Sequence, residues 1–383
     1  MASATSVLLK RLLDDELAAI ESEVGHSRAD TILKSLDERG TAQQLIEGQY
    51  SGRYPLELLQ NADDSVAERR RVDSTAPASI RFELTRQALI VADTGTGFSE
   101  DNVSGICSIG RSPKDPRTSI GYKGIGFKSV GEIAARPQIV SQGARFMFDA
   151  ARVRNEISAR VPNLRPDQRF PTYAFPFPVT DGDLGDDAEL VEALQRDGYA
   201  TVIRLPLDAV RHEAVEAHLR HVLAPRLLLL LDGVDELELH GTSGDFSAKL
   251  DPDSHAGHTE VLLKLADGPE EYWIVFRSQL DIPDRSRMAE LGDKWEEVAA
   301  ARIAIAAPGP GVDIPRDGFP LHVFFPTSEG TGLPFIVHGD FAVDLDRRHA
   351  SQKPAAVEYN QWLGEAAARF VADAVAPNLG AIL

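Results

Sequence analysis

The chain has 383 residues, which is enough for two or three domains of ordinary size. Its composition, with 43% hydrophobic and 26% charged residues, is that of a soluble globular protein. The net charge of −19 disfavours non-specific binding to nucleic acid, and the single cysteine, Cys107, excludes an intrachain disulfide.

The sequence offers no obvious targeting or membrane segment. Residues 1–13 lack a long apolar region and a cleavage site, so we expect no secretory signal. The longest apolar run, Leu227 to Leu231, is far too short to cross a bilayer. With one cysteine and no disulfide, the chain is predicted to be cytoplasmic and to have no membrane partner.

The N-terminal third alternates helical and strand-like patterns. Apolar residues recur at helical spacing over residues 6–48, and a second helix is predicted over 54–68, where Pro55 suits the first turn. Short strands follow at 80–84 and 88–92. Residues 99–128 are rich in glycine, proline and serine and are predicted to be mainly loop.

The middle of the chain is predicted to continue this α/β pattern. We expect residues 127–134 to start a helix. Strands are predicted at 137–141, 144–149 and 200–205. Residues 155–198 are proline-rich and then acidic. This composition predicts a peripheral excursion, that is, a surface segment outside the core.

The C-terminal part is predicted to be richer in strands. An amphipathic helix over 209–223 and a buried run at 227–231 precede it. The remaining predicted elements are strands at 236–240, 260–265, 271–276, 301–306, 321–325 and 335–341, and a last helix at 356–374.

Three segments carry residue types suited to nucleotide chemistry, and the first lies on a predicted helix. Glu57, Asn61 and Asp64 are spaced four and three residues apart, so they share one helix face. An amide oxygen suits magnesium, and a carboxylate can polarise an attacking water. Taken alone, this pattern is more typical of the polar face of a surface helix.

The second segment is Asp93-Thr-Gly-Thr-Gly97, directly after a predicted strand. A carboxylate at the end of a buried strand can accept a hydrogen bond from an adenine amino group, while Gly95 and Gly97 allow close approach of the backbone. Taken alone, it is also an ordinary turn after a strand.

The third segment, Gly121 to Ser129, places three glycines before a predicted helix, where backbone N–H groups can bind phosphate. It is not a P-loop, because Phe127 separates Gly126 from Lys128, and it lacks the dinucleotide fingerprint. A local excess of basic residues in an acidic protein also favours an anionic ligand; these are Arg111, Lys114, Arg117, Lys123 and Lys128.

In this order and spacing, the three segments resemble the N box and two glycine boxes of the GHKL superfamily of ATPases. Residues 109–114 resemble the start of its mobile ATP lid. Residues 58–64 and 120–129 are most similar to the sacsin-type branch of the heat-shock chaperone group. Looser similarity extends through residues 201–207 and 335–348.

The resemblance implies a role for each matching residue. Glu57 would be the general base, Asn61 would hold Mg²⁺, and Asp93 would recognise adenine, with Thr201 supporting it through water. Gly97 would let the lid hinge. Further nucleotide-binding candidates are Asp64, Gly95, Arg111, Gly121, Lys123, Gly124, Ile125, Gly126 and Phe127.

The resemblance also implies a domain order. A helical segment, 1–48, would precede a Bergerat-type ATP-binding domain, 49–207, built as a two-layer α/β sandwich. Residues 208–383 would form a smaller α/β domain of the middle or transducer type. In such proteins this domain sends a basic residue to the γ-phosphate, and the catalytic candidates here are Arg347, Arg348 and Lys353. Their clustering is equally typical of a surface charge cluster.

The predicted function is an ATP-driven conformational switch that hydrolyses ATP slowly and acts on a protein client or partner, or on a second copy of the chain. One alternative is an ATP-sensing scaffold without turnover. Another is a DNA-associated clamp like MutL or MORC in bacterial defence, although the net charge does not support nucleic-acid binding. His255 and His258 lie in a predicted polar loop without nearby cysteine ligands, so the sequence does not favour a metal there.

Overall fold

The chain forms two compact units in a computed structural model. Within the described residues, the first unit comprises those between 4 and 108, between 126 and 223, and between 238 and 245, and the second comprises those between 224 and 237 and between 246 and 382. The described residues are 4–26, 28–49, 52–108, 126–161, 164–266, 268–286, 288–291, 295, 298–344 and 348–382.

The helices of the first unit begin and end where the sequence chemistry favours it. The helix that carries Glu57, Asn61 and Asp64 has Pro55 and Glu57 in its first turn and three arginines in its last, which suits the helix dipole. The helices are α1 (Ala4–Gly25), α2 (Ala29–Gln49), α3 (Tyr54–Val72), α4 (Glu100–Cys107), α5 (Ala150–Ser158), α6 (Asp181–Leu184), α7 (Ala188–Arg196) and α8 (His212–Val222), and a 3₁₀ helix covers Gly126–Glu132.

The strands of the first unit are hydrogen-bonded in the order β7–β1–β2–β6–β3–β4–β5. The pairs β1–β2, β2–β6, β3–β6, β3–β4 and β4–β5 are antiparallel. The strands are β1 (Ser79–Leu84), β2 (Ala88–Asp93), β3 (Gln138–Ser141), β4 (Ala144–Met147), β5 (Phe177–Pro178), β6 (Thr201–Pro206) and β7 (Glu236–His240).

The sheet of the first unit is buried on one face by a continuous apolar cluster. Ile20 of α1 and Leu36 of α2 pack there with alternate residues of β2, Ala88, Ile90 and Ala92. The other residues of β2, Leu89, Val91 and Asp93, therefore point to the opposite face of the sheet.

The expectation of a peripheral excursion over 155–198 is wrong. Ile157, Phe175, Val191 and Leu194 of this segment are buried in the same cluster as β2. Proline and acidic residues dominate its composition, but its apolar residues are spaced so that α5 and α7 each present one buried stripe.

The expectation of mainly loop over 99–128 is wrong for its first part. Ser99 accepts a hydrogen bond from the Asn102 N–H, and the Asn102 side chain accepts one from the Ser99 N–H, so α4 begins with a capping box. Val103 and Ile106 are buried and hold this helix against the unit.

The second unit is built mainly from strands in the order β13–β12–β14–β11–β10–β9–β8. Its β12–β14 pair is parallel and the other paired strands are antiparallel, so the sheet is mixed. The elements are β8 (Phe246–His255), β9 (His258–Leu265), β10 (Glu271–Asp281), β11 (Ala300–Pro308), β12 (Phe319–Val323), β13 (Phe325–Leu333), β14 (Ile336–Gly339), α9 (Pro354–Phe370), a π-helical turn (Val371–Val375) and α10 (Ala376–Ile382).

Two strands of this unit were not predicted. β8 is mostly polar and lies exposed along much of its length, so it lacks the apolar pattern of a half-buried strand. The strand predicted at 321–325 divides because Phe324 has a φ of 63°, which separates β12 from β13.

The mixed α/β class predicted from the sequence is confirmed. Most predicted helices and strands are present within a few residues of the expected bounds. Among the described residues, no helix is both long enough and apolar enough to cross a bilayer.

Candidate functional site

Three polar residues lie in one row across the first unit's sheet. Asp93 of β2 is in register with Thr201 of β6, which is in register with Ser141 of β3. Residues in register on neighbouring strands point to the same face, so all three lie on the face opposite the apolar cluster. All three are buried.

The glycine segment after β2 folds back on this row. The Asp93 Oδ1 atom accepts a hydrogen bond of 2.9 Å from the Gly95 N–H, which fixes the carboxylate orientation. Gly97 has a φ of 79°, a conformation that favours glycine. The next N–H, that of Phe98, donates to the Ser141 Oγ at 2.8 Å, so the segment is anchored at both ends.

The C-terminal half of α3 holds the same segment from the side. The Thr96 N–H donates to the Ser65 Oγ at 3.0 Å. The Arg69 guanidinium donates to the Thr94 carbonyl at 2.6 Å. The first predicted motif therefore positions the second through side chains that lie outside both motifs.

The N-terminal half of α3 meets the third motif. Glu57 is buried, and a Cβ on Gly126 would overlap its carboxylate, so any larger residue at this position would force the Glu57 side chain to move. The Arg53 Nε lies 4.0 Å from the Glu57 Oε1, and both side chains are buried. Asn61 is half-buried on the same helix face, one turn further along.

Lys128, also in the third motif, points into the unit. Its ammonium donates to the Ser108 carbonyl and lies 5.6 Å from the centre of the Tyr173 ring. Burial lowers the Lys128 pKa to about 8, although nearby Cys107 and Glu47 act in the opposite sense. The same burial raises the pKa of the Cys107 thiol to about 12, so this cysteine is a poor nucleophile.

The described residues thus include much of the predicted site. Glu57, Asn61, Asp64, Gly126 and Phe127 belong to α3 and the 3₁₀ helix that packs on it. Asp93 ends β2, Thr201 begins the neighbouring strand β6, and Gly95 and Gly97 lie in the loop after β2. Other predicted residues lie outside the described residues; they are Arg111, Gly121, Lys123, Gly124, Ile125 and Arg347.

Two predicted basic residues belong to the second unit, where both are exposed. The Arg348 carbonyl accepts a hydrogen bond from the Ser328 N–H, and the Lys353 carbonyl accepts one from the Val357 N–H at the start of α9. These backbone contacts position the two residues within their own unit.

Sequence reasoning missed Arg53, Ser65, Arg69 and Ser141. Ser65 and Arg69 follow the helix motif by one and five residues, so an extended helix face would have included them as neighbours of Asn61 and Asp64. Ser141 has no motif of its own, because its role depends on strand register.

A family model described as the Sacsin domain matches residues 43–224. This stretch is sacsin-like. It contains all three motifs and α3, β2 and β6.

One relative is Protein NO VEIN of Arabidopsis thaliana, which is 26% identical over 326 residues. The match covers 80% of this chain but 10% of that protein, so the chain spans about a tenth of the relative's length. The sacsin-type similarity read from the motifs is therefore confirmed at the level of this domain.

Proposed function

We propose that the first unit binds ATP with Mg²⁺ in a GHKL-type, two-layer α/β site and hydrolyses it slowly. The observation that supports this proposal most strongly is the position of α3. One end of this helix touches Gly126 through Glu57, and the other holds the Asp93–Gly97 loop through Ser65 and Arg69. Sequence segments far apart in the chain thus meet at one helix.

The adenine end of the proposed site is formed where β2 ends and β6 begins. The Asp93 carboxylate is buried and oriented by the Gly95 N–H, which suits an acceptor for the adenine amino group. Thr201 is its register partner on β6 and would support it. Gly97 and Phe98, held by Ser141, would form the wall beside the base.

The phosphate end would lie at the start of the 3₁₀ helix. Gly126 and Phe127 would offer backbone N–H groups, together with Gly121, Gly124 and Ile125 of the same motif. Lys123 and Arg111 would add positive charge. Asn61 would supply an oxygen to Mg²⁺, with Asp64 beside it; the bound ion would neutralise charge that develops on the phosphates.

Glu57 would accept the proton of the attacking water. Its contact with Arg53 would hold the carboxylate in place. Arg347, Arg348 and Lys353 of the second unit would supply the cation for the γ-phosphate. In this proposal the nucleotide state controls binding of a protein client or of a second copy of the chain.

One observation favours a second function, an ATP sensor without turnover. The Glu57 side chain is 3% exposed, lies against Gly126 and faces Arg53 at 4.0 Å. A carboxylate enclosed in this way leaves little room for a water molecule. The Glu57 variant considered in the Discussion separates the two functions.

The binding proposal is tested by calorimetry with ATP and Mg²⁺ on the parent chain and on Asp93→Asn. The asparagine amide oxygen can still accept from the Gly95 N–H, but its amino group would face the adenine amino group. We expect ATP affinity to fall by at least about tenfold while the fold is retained.

A matched control is Asp197→Asn, an exposed aspartate of the same unit, which should bind ATP like the parent. If the parent chain binds no ATP, the proposal is wrong. If Asp93→Asn binds ATP as tightly as the parent, the adenine assignment is wrong.

A further inference from the structure

A second cluster of ligating side chains lies in the second unit, at the end of the β8–β9 hairpin. His255 and His258 are directly opposed across a tight turn, and Asp253 is opposed to Glu260 two residues further from the turn. Side chains two residues apart on a strand share a face. All four side chains therefore lie on one face of the hairpin.

The ligand atoms of this cluster are close together. The Nε2 atoms of His255 and His258 each lie 3.6 Å from the Glu260 Oε1. One ligand atom from each of these three residues lies within 4.8 Å of the others. Ligands of a tetrahedral zinc ion are separated by about 3.3 Å, so small side-chain rotations would complete the geometry.

The charge of the hairpin end also favours a cation. Asp253 and Glu260 are carboxylates in register on neighbouring strands, an arrangement that is destabilising when both are ionised and unneutralised. The Asp253 Oδ2 lies 3.5 Å from the His255 Nε2 but outside the group of three, so the exposed Asp253 side chain would have to turn towards the group to act as a fourth ligand. A divalent ion would neutralise both carboxylates.

Neighbouring residues hold the cluster in place. Tyr272 of β10 is two residues from Ile274, the register partner of Glu260, so the Tyr272 and Glu260 side chains share a face of the sheet. The Tyr272 hydroxyl is therefore placed to support the Glu260 carboxylate, as outer groups do in known metal sites. The His258 ring packs 5.7 Å from the Phe276 ring. Among the described residues, neither buried ring nitrogen of His258 has a hydrogen-bond partner.

We propose that His255, His258 and Glu260, with Asp253 as a fourth ligand, bind one divalent transition-metal ion of the zinc type. Two imidazoles and a carboxylate are ligands that zinc commonly takes, whereas magnesium and calcium prefer oxygen ligands alone. The ion would join β8 to β9 next to the turn. This site is separate from the proposed nucleotide site, and the proposal does not depend on ATP binding.

The test is a calorimetric titration of the full chain with zinc chloride alone. The chain carries no histidine tag, and no nucleotide is present. We expect one zinc ion per chain. His255→Ala and His258→Ala should each weaken binding by at least about tenfold, because each removes a ligand. The cobalt(II) complex of the parent should show the visible absorption of tetrahedral coordination.

The matched control is His349→Ala. His349 is exposed in the same unit and lies 3.6 Å from a single carboxylate, that of Glu329. The His349→Ala variant should bind zinc as tightly as the parent. The proposal is overturned if the parent binds no zinc, or if zinc affinity is the same in the parent and in both hairpin variants.

Discussion

Glu57 is the residue that separates ATP hydrolysis from ATP sensing. It is buried on α3, lies against Gly126 and faces Arg53. A general base must be both oriented and accessible to water. The contacts of Glu57 satisfy the first requirement, and the second depends on what surrounds the carboxylate when nucleotide is bound.

We expect Glu57→Gln to leave ATP affinity close to that of the parent, since Glu57 is not assigned to the base or the ribose. If Glu57 is the general base, steady-state turnover should fall by about two to four orders of magnitude. Phosphate release measured beside a binding isotherm checks both expectations.

The control for this variant is Glu213→Gln, an exposed glutamate on α8 of the same unit, which should retain turnover. Turnover that is equal in the parent and in Glu57→Gln would remove Glu57 from the mechanism. A parent chain that binds ATP without measurable turnover would instead identify a sensor.

At the scale of elements, α5 to α7 contribute more than their composition suggests. Arg204 of β6 forms a buried ion pair of 2.7 Å with Asp187, and it also donates to Gln138 of β3 at 2.9 Å. Gln138 in turn donates to the Asp183 carbonyl. This network ties the acidic segment to two strands of the sheet that carries Asp93.

Asp187→Ala should lower the free energy of unfolding by about 3–5 kcal/mol, because it leaves the Arg204 guanidinium buried without its carboxylate. Urea unfolding followed by circular dichroism measures this loss. The adjacent Asp186→Ala is the control. Among the described residues, the Asp186 side chain makes one hydrogen bond, an exposed one from Gln87, so its loss should cost about 1 kcal/mol or less. Equal losses in the two variants would contradict a structural role for the buried pair.

At the scale of the whole molecule, the two units should respond differently to acid. In the second unit, His322 of β12 is in register with His338 of β14, and both are buried. Burial lowers the His322 pKa to about 4. Burial, together with the nearby Arg302 and other cations, lowers the His338 pKa well below its usual range.

A histidine with a lowered pKa in the folded state stabilises the fold fully above pH 6.5, and this stabilisation is lost as pH falls towards the folded-state value. For His322 the loss between pH 6.5 and about 4 amounts to about 3 kcal/mol. All three tryptophans, at 273, 295 and 362, lie in the second unit, so their fluorescence reports its unfolding.

We therefore expect the urea concentration at the midpoint of the tryptophan signal to decrease as the pH is lowered from 6.5 to 4.5. His322→Gln should make this dependence less steep. In the first unit, Glu216 titrates over a lower pH range. Although burial acts to raise its pKa, hydrogen bonds from Thr242, Ser243 and Arg220 lower it to about 2. The stabilisation of the first unit by Glu216 should therefore persist above pH 4.5 and disappear only at lower pH. A tryptophan midpoint that is constant over this range would contradict the role of the histidines.

The sequence by itself determined the elements with strong periodicity and the identity of the motif residues. Helices α1 to α3 and strands β1, β2 and β6 follow from local patterns, because an apolar face repeats regularly in each. The sacsin-type similarity was also readable from short segments, since their residue types and spacing are specific. The roles assigned to those residues in ATP binding and catalysis are still predictions.

Only the tertiary structure decided which residues support the motifs. Ser141 meets Gly97 and Phe98 because β3 pairs with β6 in one register, and strand register depends on contacts between segments distant in the chain. For the same reason the segment 155–198 is part of the core although its composition suggested a surface excursion. His255 and His258, read as loop residues, acquired Asp253 and Glu260 as neighbours through the pairing of β8 with β9. A local pattern specifies which residues share a face, whereas pairing between strands specifies which faces and side chains meet.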